Sequence, residues 1–262
     1  MAKRKLPATT DSQQPPPRRS KRNVAPGPTA PPPRAPPAPA PKPPTRDGFE
    51  QWHMRELGFG ADVYYHPSFI AEDDAVQWYH ELAALDTCRL WYNPRITVYG
   101  KTITQSRAVA VYATTPGTSF KYSGAEIDVH YPLPPALRAM ASRVEDALGV
   151  QFNHVMLNRY DDGSVYIGRH SDTRDNVVIA SLSVGAERTF VMTPRLPPKA
   201  SAIVVPPERS AELAKRETRR WLLANGSLLV MQGMTQDFWK HEIPKEPKVK
   251  HGRISLTFRQ LA

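Results

Sequence analysis

The sequence lacks most of what a secreted or membrane protein needs. Cys88 is the only cysteine among 262 residues, so an intramolecular disulfide and a cysteine-rich zinc site are excluded. No apolar run approaches the ~18 residues of a membrane-spanning helix. The first residues are basic and proline-rich, unlike a secretory signal. These absences predict a soluble, intracellular protein without a membrane partner.

Acidic residues are almost absent from residues 1–46, which carry ten Lys and Arg against Asp11 alone. This stretch holds +9 of the net charge of +10, so the remainder is nearly neutral. Fifteen of the 28 prolines also lie there, with almost no aliphatic or aromatic side chains. The composition predicts a disordered basic tail over 1–47 and one globular domain over 48–262, which we expect to be monomeric.

Two clusters of Lys and Arg in the tail, at 3–5 and 18–22, are separated by twelve residues. This spacing is typical of a bipartite nuclear-import signal and predicts a nuclear protein that contacts the import machinery. A solubilising arm is the alternative. The proline-rich stretch 31–44 is interpreted as a spacer, with docking to an aromatic groove on a partner as the alternative.

Hydrophobic periodicity in the globular part predicts two amphipathic helices, at 71–85 and 134–148. Short paired strands are expected at 95–99 and 107–112, around the polar turn near Gly100. A surface helix and further strands follow, with the helix at 208–220 and the strands at 152–160, 177–184, 189–192, 202–205, 227–231 and 253–258. The pattern predicts a mainly β (α+β) fold, a jelly roll or double-stranded β-helix braced by N-terminal helices.

The most informative short motif is His170-Ser171-Asp172. On an extended segment, residues i and i+2 point to the same face, so an imidazole and a carboxylate converge. Such a pair is common by chance and needs a further ligand. His241 is the best candidate, because a later strand of a jelly roll could bring it opposite the pair, although a lone histidine is more often an ordinary surface or core residue. Two imidazoles and one carboxylate suit non-haem iron(II).

The C-terminal segment 253–259 alternates between polar and apolar side chains. On a strand, Ile254, Leu256 and Phe258 would face a core. The opposite face carries Arg253, Ser255, Thr257 and Arg259. Inward guanidinium groups cost several kcal/mol unless a buried anion pairs with them, and a dicarboxylate such as 2-oxoglutarate would be such an anion. An edge strand with a solvated basic face is the alternative.

These pieces occur in the order and approximate spacing of a known family. The matching segments are 158–160, Gly163, 167–172, 179–186, Arg188, Phe190, 226–231, 235–241 and 253–259. From about Arg95 to the C-terminus the sequence resembles the AlkB-like iron(II)- and 2-oxoglutarate-dependent dioxygenases, most of all the eukaryotic nuclear branch that repairs alkylated DNA. The resemblance implies a nucleotide-recognition lid at about 95–125 and a catalytic jelly roll at 150–262.

The resemblance implies Fe(II) as cofactor and 2-oxoglutarate and O2 as co-substrates. Iron ligation falls on His170, Asp172 and His241. The residues implied to bind 2-oxoglutarate are Asn158, Tyr160, Arg253, Ser255, Thr257 and Arg259. Within that set, Arg253 would pair with the distal carboxylate, and Arg259 and Asn158 would lie nearer the iron.

The implied lid would hold a base flipped out of the stack, with stacking of ~1 to 3 kcal/mol per base helping to offset unpairing. Tyr122 matches the aromatic that stacks on the base opposite His170, and Tyr99 matches an intercalating finger. The residues assigned to the substrate are Tyr99, Lys101, Arg107, Tyr112, Phe120, Tyr122, Arg174 and Asp175. The cations of the lid would position phosphates. Core or cross-strand packing is the alternative for the aromatics.

Three departures from the family pattern bear on substrate choice. Ser255 stands where many relatives carry Asn, which would remove one hydrogen bond to the co-substrate. Thr173 and Arg174 follow the iron aspartate where repair members commonly have acids, so Asp175 would have to compensate. Residues 206–217 form an insertion to which the sequence assigns no role.

The implied reaction is oxidative dealkylation of N-alkylated bases in DNA, such as 1-methyladenine and 3-methylcytosine, coupled to decarboxylation of 2-oxoglutarate to succinate. The same chemistry on RNA, or less readily on a protein side chain, is the first alternative. The second alternative is a non-enzymatic nucleic-acid-binding module on the same barrel. A sugar-binding jelly roll, which needs no iron, is the third.

Overall fold

Antiparallel strands are the main regular secondary structure of the described residues. The computed structural model describes residues 49–85, 90–98, 100–122, 125–197, 203 and 205–261. Strand residues 97–98, 120–122 and 125–126 are described by their backbone alone. The predicted tail 1–47, with its import signal, lies outside the described residues.

Fourteen strands and four α-helices are assigned within the described ranges. The strands are Asp62–His66 (β1), Arg95–Val98 (β2), Lys101–Thr104 (β3), Ala108–Ala113 (β4), Phe120–Tyr122 (β5), Ala125–Ile127 (β6), His154–Tyr160 (β7), Ile167–His170 (β8), Asn176–Gly185 (β9), Arg188–Pro194 (β10), Arg219–Leu223 (β11), Leu228–Gln232 (β12), Trp239–Ile243 (β13) and Arg253–Leu261 (β14). The helices are Glu72–Ala83 (α1), Pro135–Leu148 (α2), Ser210–Lys215 (α3) and Thr235–Phe238 (α4). Short 3-10 helices span Glu50–Trp52, Arg55–Leu57 and Pro207–Arg209.

Both predicted amphipathic helices are present, and local chemistry explains their ends. Three acidic residues occupy the first turn of α1, where they interact favourably with the helix dipole. Helix α2 has Pro135 at its start and ends at Gly149, whose φ of 66° lies in the left-handed region that glycine adopts readily. No helix in the described ranges is long and apolar enough to cross a membrane.

The strands form two main sheets and two small hairpins. The large sheet has the order β1-β12-β9-β14-β7-β4, and the small sheet has the order β11-β10-β13-β8. All their pairings are antiparallel. The predicted jelly-roll class is therefore confirmed.

The large sheet is covered on both faces. One face packs against α1 and α2 in a core that includes Leu82, Leu137, Leu182 and Leu256. The other face joins the small sheet in a second core, where Ile179 of β9 meets side chains of β10 and β13. Strand β14 lies near the middle of the large sheet, so its two faces look into two different interiors.

Three predicted elements differ in the structure. Strand β2 pairs with β3 across the turn at Gly100, whereas the strand predicted at 107–112, observed as β4, pairs with β7 instead. The helix predicted at 208–220 ends with α3 at Lys215, and β11 follows it. The charged residues Arg219 and Arg220 favoured a surface helix in the sequence analysis. In the structure both are exposed on β11, a strand at the edge of the small sheet, where charged side chains are common. Of the predicted strand 202–205, only residues 203 and 205 are described, and neither is in a strand.

A buried ion pair ties the start of β10 to the loop before β14. Arg188 is 1 % exposed, and its Nε lies 2.9 Å from Oε2 of Glu246. Its other nitrogens donate to the carbonyls of Asp162, Val165 and Pro244. Burial favours a higher pKa for Glu246, but hydrogen bonds from Thr189 and Arg188 hold that pKa below its ordinary value.

Replacement of Glu246 by Gln should lower the free energy of unfolding by about 2 to 4 kcal/mol, because it leaves the Arg188 charge buried without a carboxylate. Urea unfolding at neutral pH measures the loss. The Glu212→Gln control removes the exposed pair with Arg209, and there we expect no measurable loss of stability.

The folded-state pKa of Glu246 is the lowered one, so its stabilisation is complete above the ordinary pKa of 4.5 and is lost as the pH falls below it. The difference between wild type and Glu246→Gln should therefore narrow in acid. A difference that is constant down to the acid transition would contradict the ion-pair interpretation.

Candidate active site

The inward face of β14 gathers most of the predicted co-substrate residues. Its register with β7 sets Ser255 opposite Asn158 and Arg253 opposite Tyr160. Because side chains alternate along paired strands, the four project from one face of the large sheet toward the small sheet. Each is at most 7 % exposed. The alternative of a solvated basic edge strand is wrong, since β14 has strand neighbours on both sides.

His170, Asp172 and His241 come together where the small sheet faces β14. One ligand atom from each lies within 4.8 Å of the others. Nε2 of His241 is 3.7 Å from Oδ2 of Asp172. The centres of the His170 and His241 rings are 4.3 Å apart. His241 pairs directly with His170 between β13 and β8.

A β-bulge in β8 helps to aim the first of these histidines. His241 of β13 pairs with His170 of β8, and Ile243 of β13 pairs with Ile167 of β8. The paired residues are two apart on β13 but three apart on β8. The extra residue in β8 breaks the strict alternation of side chains. As a result, both His170 and Ile167 line the same cavity.

Charge stabilises the carboxylate of the cluster. Burial favours a higher pKa for Asp172, but the guanidinium of Arg259 and the two histidines outweigh it and lower that pKa to about 2. Nη2 of Arg259 donates to Oδ1 of Asp172 at 3.1 Å. Asp172 is therefore ionised at neutral pH, as a metal ligand must be.

Both histidines are kept neutral. Burial, reinforced by His170, lowers the pKa of His241 to about 3. Burial is also the main cause that lowers the pKa of His170, whose Nδ1 lies 2.8 Å from the carbonyl oxygen of Gly168. A hydrogen bond from Nδ1 leaves Nε2 as the ligand atom of His170. The donor set of two neutral imidazoles and one carboxylate fits iron(II).

The same cavity contains buried cations that fit an anionic co-substrate. Arg253 is 2 % exposed, with Nη2 donating to Oγ of Ser183 at 2.8 Å and its guanidinium 5.2 Å from the Tyr160 ring. Among the described residues, Nε and Nη1 of Arg253 and Nε of Arg259 have no hydrogen-bond partner. Buried donors of this kind are expected to meet an acceptor, and the carboxylates of 2-oxoglutarate fit them.

The six residues expected to bind 2-oxoglutarate and the three expected to bind iron all line this cavity. Nine other lining residues had not been assigned to iron or to 2-oxoglutarate. These are Arg107, Met156, Ile167, Ser181, Phe190, Leu223, Leu229, Met231 and Ile243. Alternation could have identified Met156, which shares a strand face with Asn158, and Ser181, whose hydroxyl lies 2.8 Å from that of Ser255.

Arg107 does not lie where a phosphate-positioning residue should. It is 1 % exposed and lines the cavity, with Nε donating to Oδ1 of Asn158 at 2.8 Å and Nη1 bonded to Gln105. The expectation of a surface cation is corrected: Arg107 orients a pocket residue from the start of β4.

Tyr112 is also buried, at 6 % exposed, in the core beneath the large sheet. Its ring packs 5.4 Å from that of His130. Core packing, the alternative for this residue, is what the structure has, so Tyr112 cannot stack on a base.

The other lid residues are less fully described. Lys101 is exposed on β3, where a phosphate could reach it. Tyr99 lies outside the described residues, and Phe120 and Tyr122 are described by the backbone of β5 alone. Their assignments to the substrate stay predictions.

Arg174 and Asp175 follow Asp172, a predicted metal ligand, on an exposed turn. Arg174 forms an ion pair with Asp237 at the end of α4. Asp175 is exposed and remains a predicted substrate contact.

Two residues that sequence reasoning missed fix the backbone around the ligands. The amide of Asp172 donates to Oε1 of Gln236 at 2.9 Å, and Oγ of Ser171 donates to the carbonyl of Trp239 at 2.8 Å. Both bonds connect the segment of His170 and Asp172 to the segment that leads to His241.

Comparison with known proteins agrees with this geometry. Residues 62–259 match the family model of the 2OG-Fe(II) oxygenase superfamily. The chain is 32% identical over 215 residues to DNA oxidative demethylase ALKBH2 of Arabidopsis thaliana, which covers 78% of this chain and 68% of that protein. It is 35% identical to the Bos taurus protein of the same name, over 64% of this chain and 57% of that one. Alpha-ketoglutarate-dependent dioxygenase alkB homolog 3 of Homo sapiens is 34% identical, over 60% and 52%.

Solved structures share the fold at low identity. OsALKBH1 aligns with a TM-score of 0.50 at 16% identity, over 76% of this chain and 97% of that one. A prolyl hydroxylase from Trichoplax adhaerens aligns with a TM-score of 0.50 at 11% identity, over 76% and 83%. With the family match over most of the chain and a histidine–aspartate–histidine cluster beside buried arginines, this chain belongs to the 2OG-Fe(II) oxygenase superfamily, in its AlkB-like branch, and is an Fe(II)- and 2-oxoglutarate-dependent dioxygenase that uses O2.

Proposed function

We propose that this dioxygenase oxidatively dealkylates N-alkylated bases in nucleic acid, with DNA as the principal substrate and succinate as the co-product. The observation that carries the proposal is the convergence of His170, Asp172 and His241 beside a buried cationic cavity. The relatives of the chain include proteins named DNA oxidative demethylase, which favours DNA. RNA, the alternative polymer, is an outcome of the test below.

In the proposed mechanism, His170, Asp172 and His241 hold iron(II). Iron(II) with 2-oxoglutarate and O2 supplies the oxidising chemistry when bound. The chain keeps both imidazoles neutral and the carboxylate ionised, so the ligands need lose no proton at neutral pH. Arg259 donates to Asp172 and so fixes the orientation of that carboxylate.

The proposed 2-oxoglutarate site lies along β14. Arg253 would bind the distal carboxylate through its two unpartnered nitrogens, and Tyr160 would close the same end. Arg259, which contacts Asp172, would lie at the iron-proximal end together with Asn158. Ser255 and Thr257 line the cavity between the two arginines and would supply hydroxyl contacts.

An exposed basic loop supports a polyanionic substrate. Residues 244–252 connect β13, which carries His241, to β14, which begins at Arg253. Glu246 of this loop points inward to Arg188, whereas Lys245, Lys248 and Lys250 are exposed. The outer face of the loop is therefore cationic, as a phosphate-binding surface requires.

The basic loop is held in shape before any substrate binds. The amide of Glu246 donates to the carbonyl of Gly163 at 2.7 Å, and the amide of Gly163 donates to that of Val249 at 2.9 Å. A Cβ at Gly163 would lie 1.8 Å from the carbonyl oxygen of Glu246, so only glycine fits there. A fixed loop loses little entropy when it binds phosphates.

The proposed site of action is the nucleus. Two basic clusters at 3–5 and 18–22 have the spacing of an import signal. A DNA substrate is consistent with that compartment.

Wild-type protein with iron(II) and 2-oxoglutarate should release succinate and formaldehyde with single-stranded DNA, double-stranded DNA or RNA that contains 1-methyladenine. DNA should turn over faster than RNA. A chelator, or His170→Ala or Asp172→Ala, should abolish both products because the metal is lost. Turnover of RNA alone would refute the choice of DNA, and products that persist in both variants would refute the assigned iron site.

Replacement of Arg253 by Met should weaken 2-oxoglutarate binding about 100-fold, or about 3 kcal/mol, because a buried charge-assisted contact is lost. The protein without co-substrate should keep its stability or gain up to about 4 kcal/mol, since an incompletely paired buried charge is removed. Calorimetric titration and urea unfolding measure the two effects. Arg159→Met is the matched control, because Arg159 pairs with Asp161 at the surface; unchanged 2-oxoglutarate affinity in Arg253→Met would contradict the assignment.

Replacement of Lys245, Lys248 and Lys250 by Gln should weaken binding of a double-stranded oligonucleotide and reduce its dependence on salt. Each phosphate contact contributes ~0.9 to the slope of log affinity against log salt, so the slope should fall by about 2 to 3. The matched control replaces exposed Arg209, Lys215 and Arg219 by Gln. Equal slopes in the two triple variants would show that the basic loop does not contact phosphates.

A further inference from the structure

Near the end of the insertion at 206–217, Arg216 extends its side chain toward the segment that leads to His241. A 3-10 helix, Pro207–Arg209, and α3 form most of it, and Arg216 follows α3 with an extended backbone. Nε of Arg216 donates to the carbonyl of Leu213, which fastens the side chain to the end of its own helix.

The guanidinium of Arg216 is bound by backbone carbonyls and aromatic rings. Nη1 donates to the carbonyl of Phe238 at 2.9 Å, and Nη2 donates to that of Arg195 at 2.9 Å. The group also lies 5.6 Å from the Phe238 ring and 5.4 Å from the Trp239 ring. A planar group with several donors suits this arrangement, and a lysine ammonium could not reproduce it.

One carbonyl that Arg216 binds lies on the segment that leads to His241, and the other belongs to Arg195, which itself contacts the segment of His170 and Asp172. Phe238 is the last residue of α4, and Trp239 is the first residue of β13, two residues before His241. Arg195 follows β10, and its Nη1 donates to Oγ of Ser171 at 3.1 Å. Ser171 lies between the other two ligands, and its hydroxyl donates to the carbonyl of Trp239.

These bonds form one continuous connection. Arg216 binds the carbonyl of Phe238, three residues before His241, and is connected through Arg195 to Ser171. Ser171 then joins the two segments to each other. The insertion therefore contacts the backbone of the segment that leads to His241. None of its residues lines the cavity.

We propose that Arg216 is a positioning residue for the iron centre, through which the insertion fixes the distance between the His170–Asp172 segment and His241. The role is independent of which polymer the enzyme uses. Outer contacts that orient metal ligands typically change metal affinity by 10- to 100-fold. Arg216→Met should therefore weaken metal binding by about 10-fold or more.

The test titrates metal-free protein with cobalt(II) and follows the visible absorption of the bound ion, with thermal unfolding of the same samples recorded in the absence of metal. Arg216→Met should raise the dissociation constant for cobalt(II) and alter the absorption spectrum of the bound ion. Arg216→Lys should differ from wild type in both measurements nearly as much as Arg216→Met does. The matched control is Arg209→Met on the same insertion, where Arg209 pairs with exposed Glu212. That control should bind cobalt(II) as wild type does.

Ser171→Ala breaks the same connection without disturbing the packing of Arg216, so it tests the proposal even if Arg216→Met fails to fold. It should also weaken cobalt(II) binding. A lower melting temperature with unchanged cobalt(II) affinity and spectrum in Arg216→Met would show a purely structural role. Wild-type affinity in Ser171→Ala would likewise overturn the proposal.

Discussion

The burial of guanidinium groups beside a single ionised carboxylate is the constraint on which the site depends. Arg259 pairs with Asp172, whereas Arg253, 2 % exposed, contacts the hydroxyl of Ser183 and the side chain of Tyr160 and forms no salt bridge within the described part of the chain. A buried charge without a counter-charge is unfavourable. A dicarboxylate bound beside His170, Asp172 and His241 would relieve this cost.

The position of β14 makes this constraint unavoidable. The strand lies between β7 and β9, with its apolar face on the helices and its polar face toward the small sheet. The same placement brings the arginines close to His170 of β8 and His241 of β13, so the alternating sequence of β14 also supplies the residues that we propose for 2-oxoglutarate.

Much of this was predictable from particular residues. The alternation from Arg253 to Arg259 specified which side chains share a face, and the short spacing of His170 and Asp172 placed two ligands together. The third ligand, His241, depends on a cross-strand pairing between β13 and β8 that no local pattern specifies. Its place on a later strand of a jelly roll made His241 a candidate, and the resemblance to a family then implied its role.

The rest depended on tertiary contacts that the sequence does not encode locally. Arg107 and Tyr112 are residue types that are common on nucleic-acid-binding surfaces. Both are buried here, because β4 pairs with β7 in the large sheet. The bulge in β8 and the contacts of Arg216 depend on segments far apart in the chain. The charged residues Arg219 and Arg220 did not predict a strand. They form one because β11 pairs with β10, and strand formation depends on such neighbouring strands more than on the residue types themselves.

The central claim is that the metal cluster and the arginines of β14 form one site that takes iron(II) and 2-oxoglutarate together. Anaerobic titration of the iron(II)-loaded protein with 2-oxoglutarate, followed by its visible charge-transfer absorption, tests this most directly. We predict a saturable band that requires both components and is lost when Arg253 and Arg259 are both replaced by Met. Absence of the band in the wild type, or its persistence in the double variant, would contradict the account.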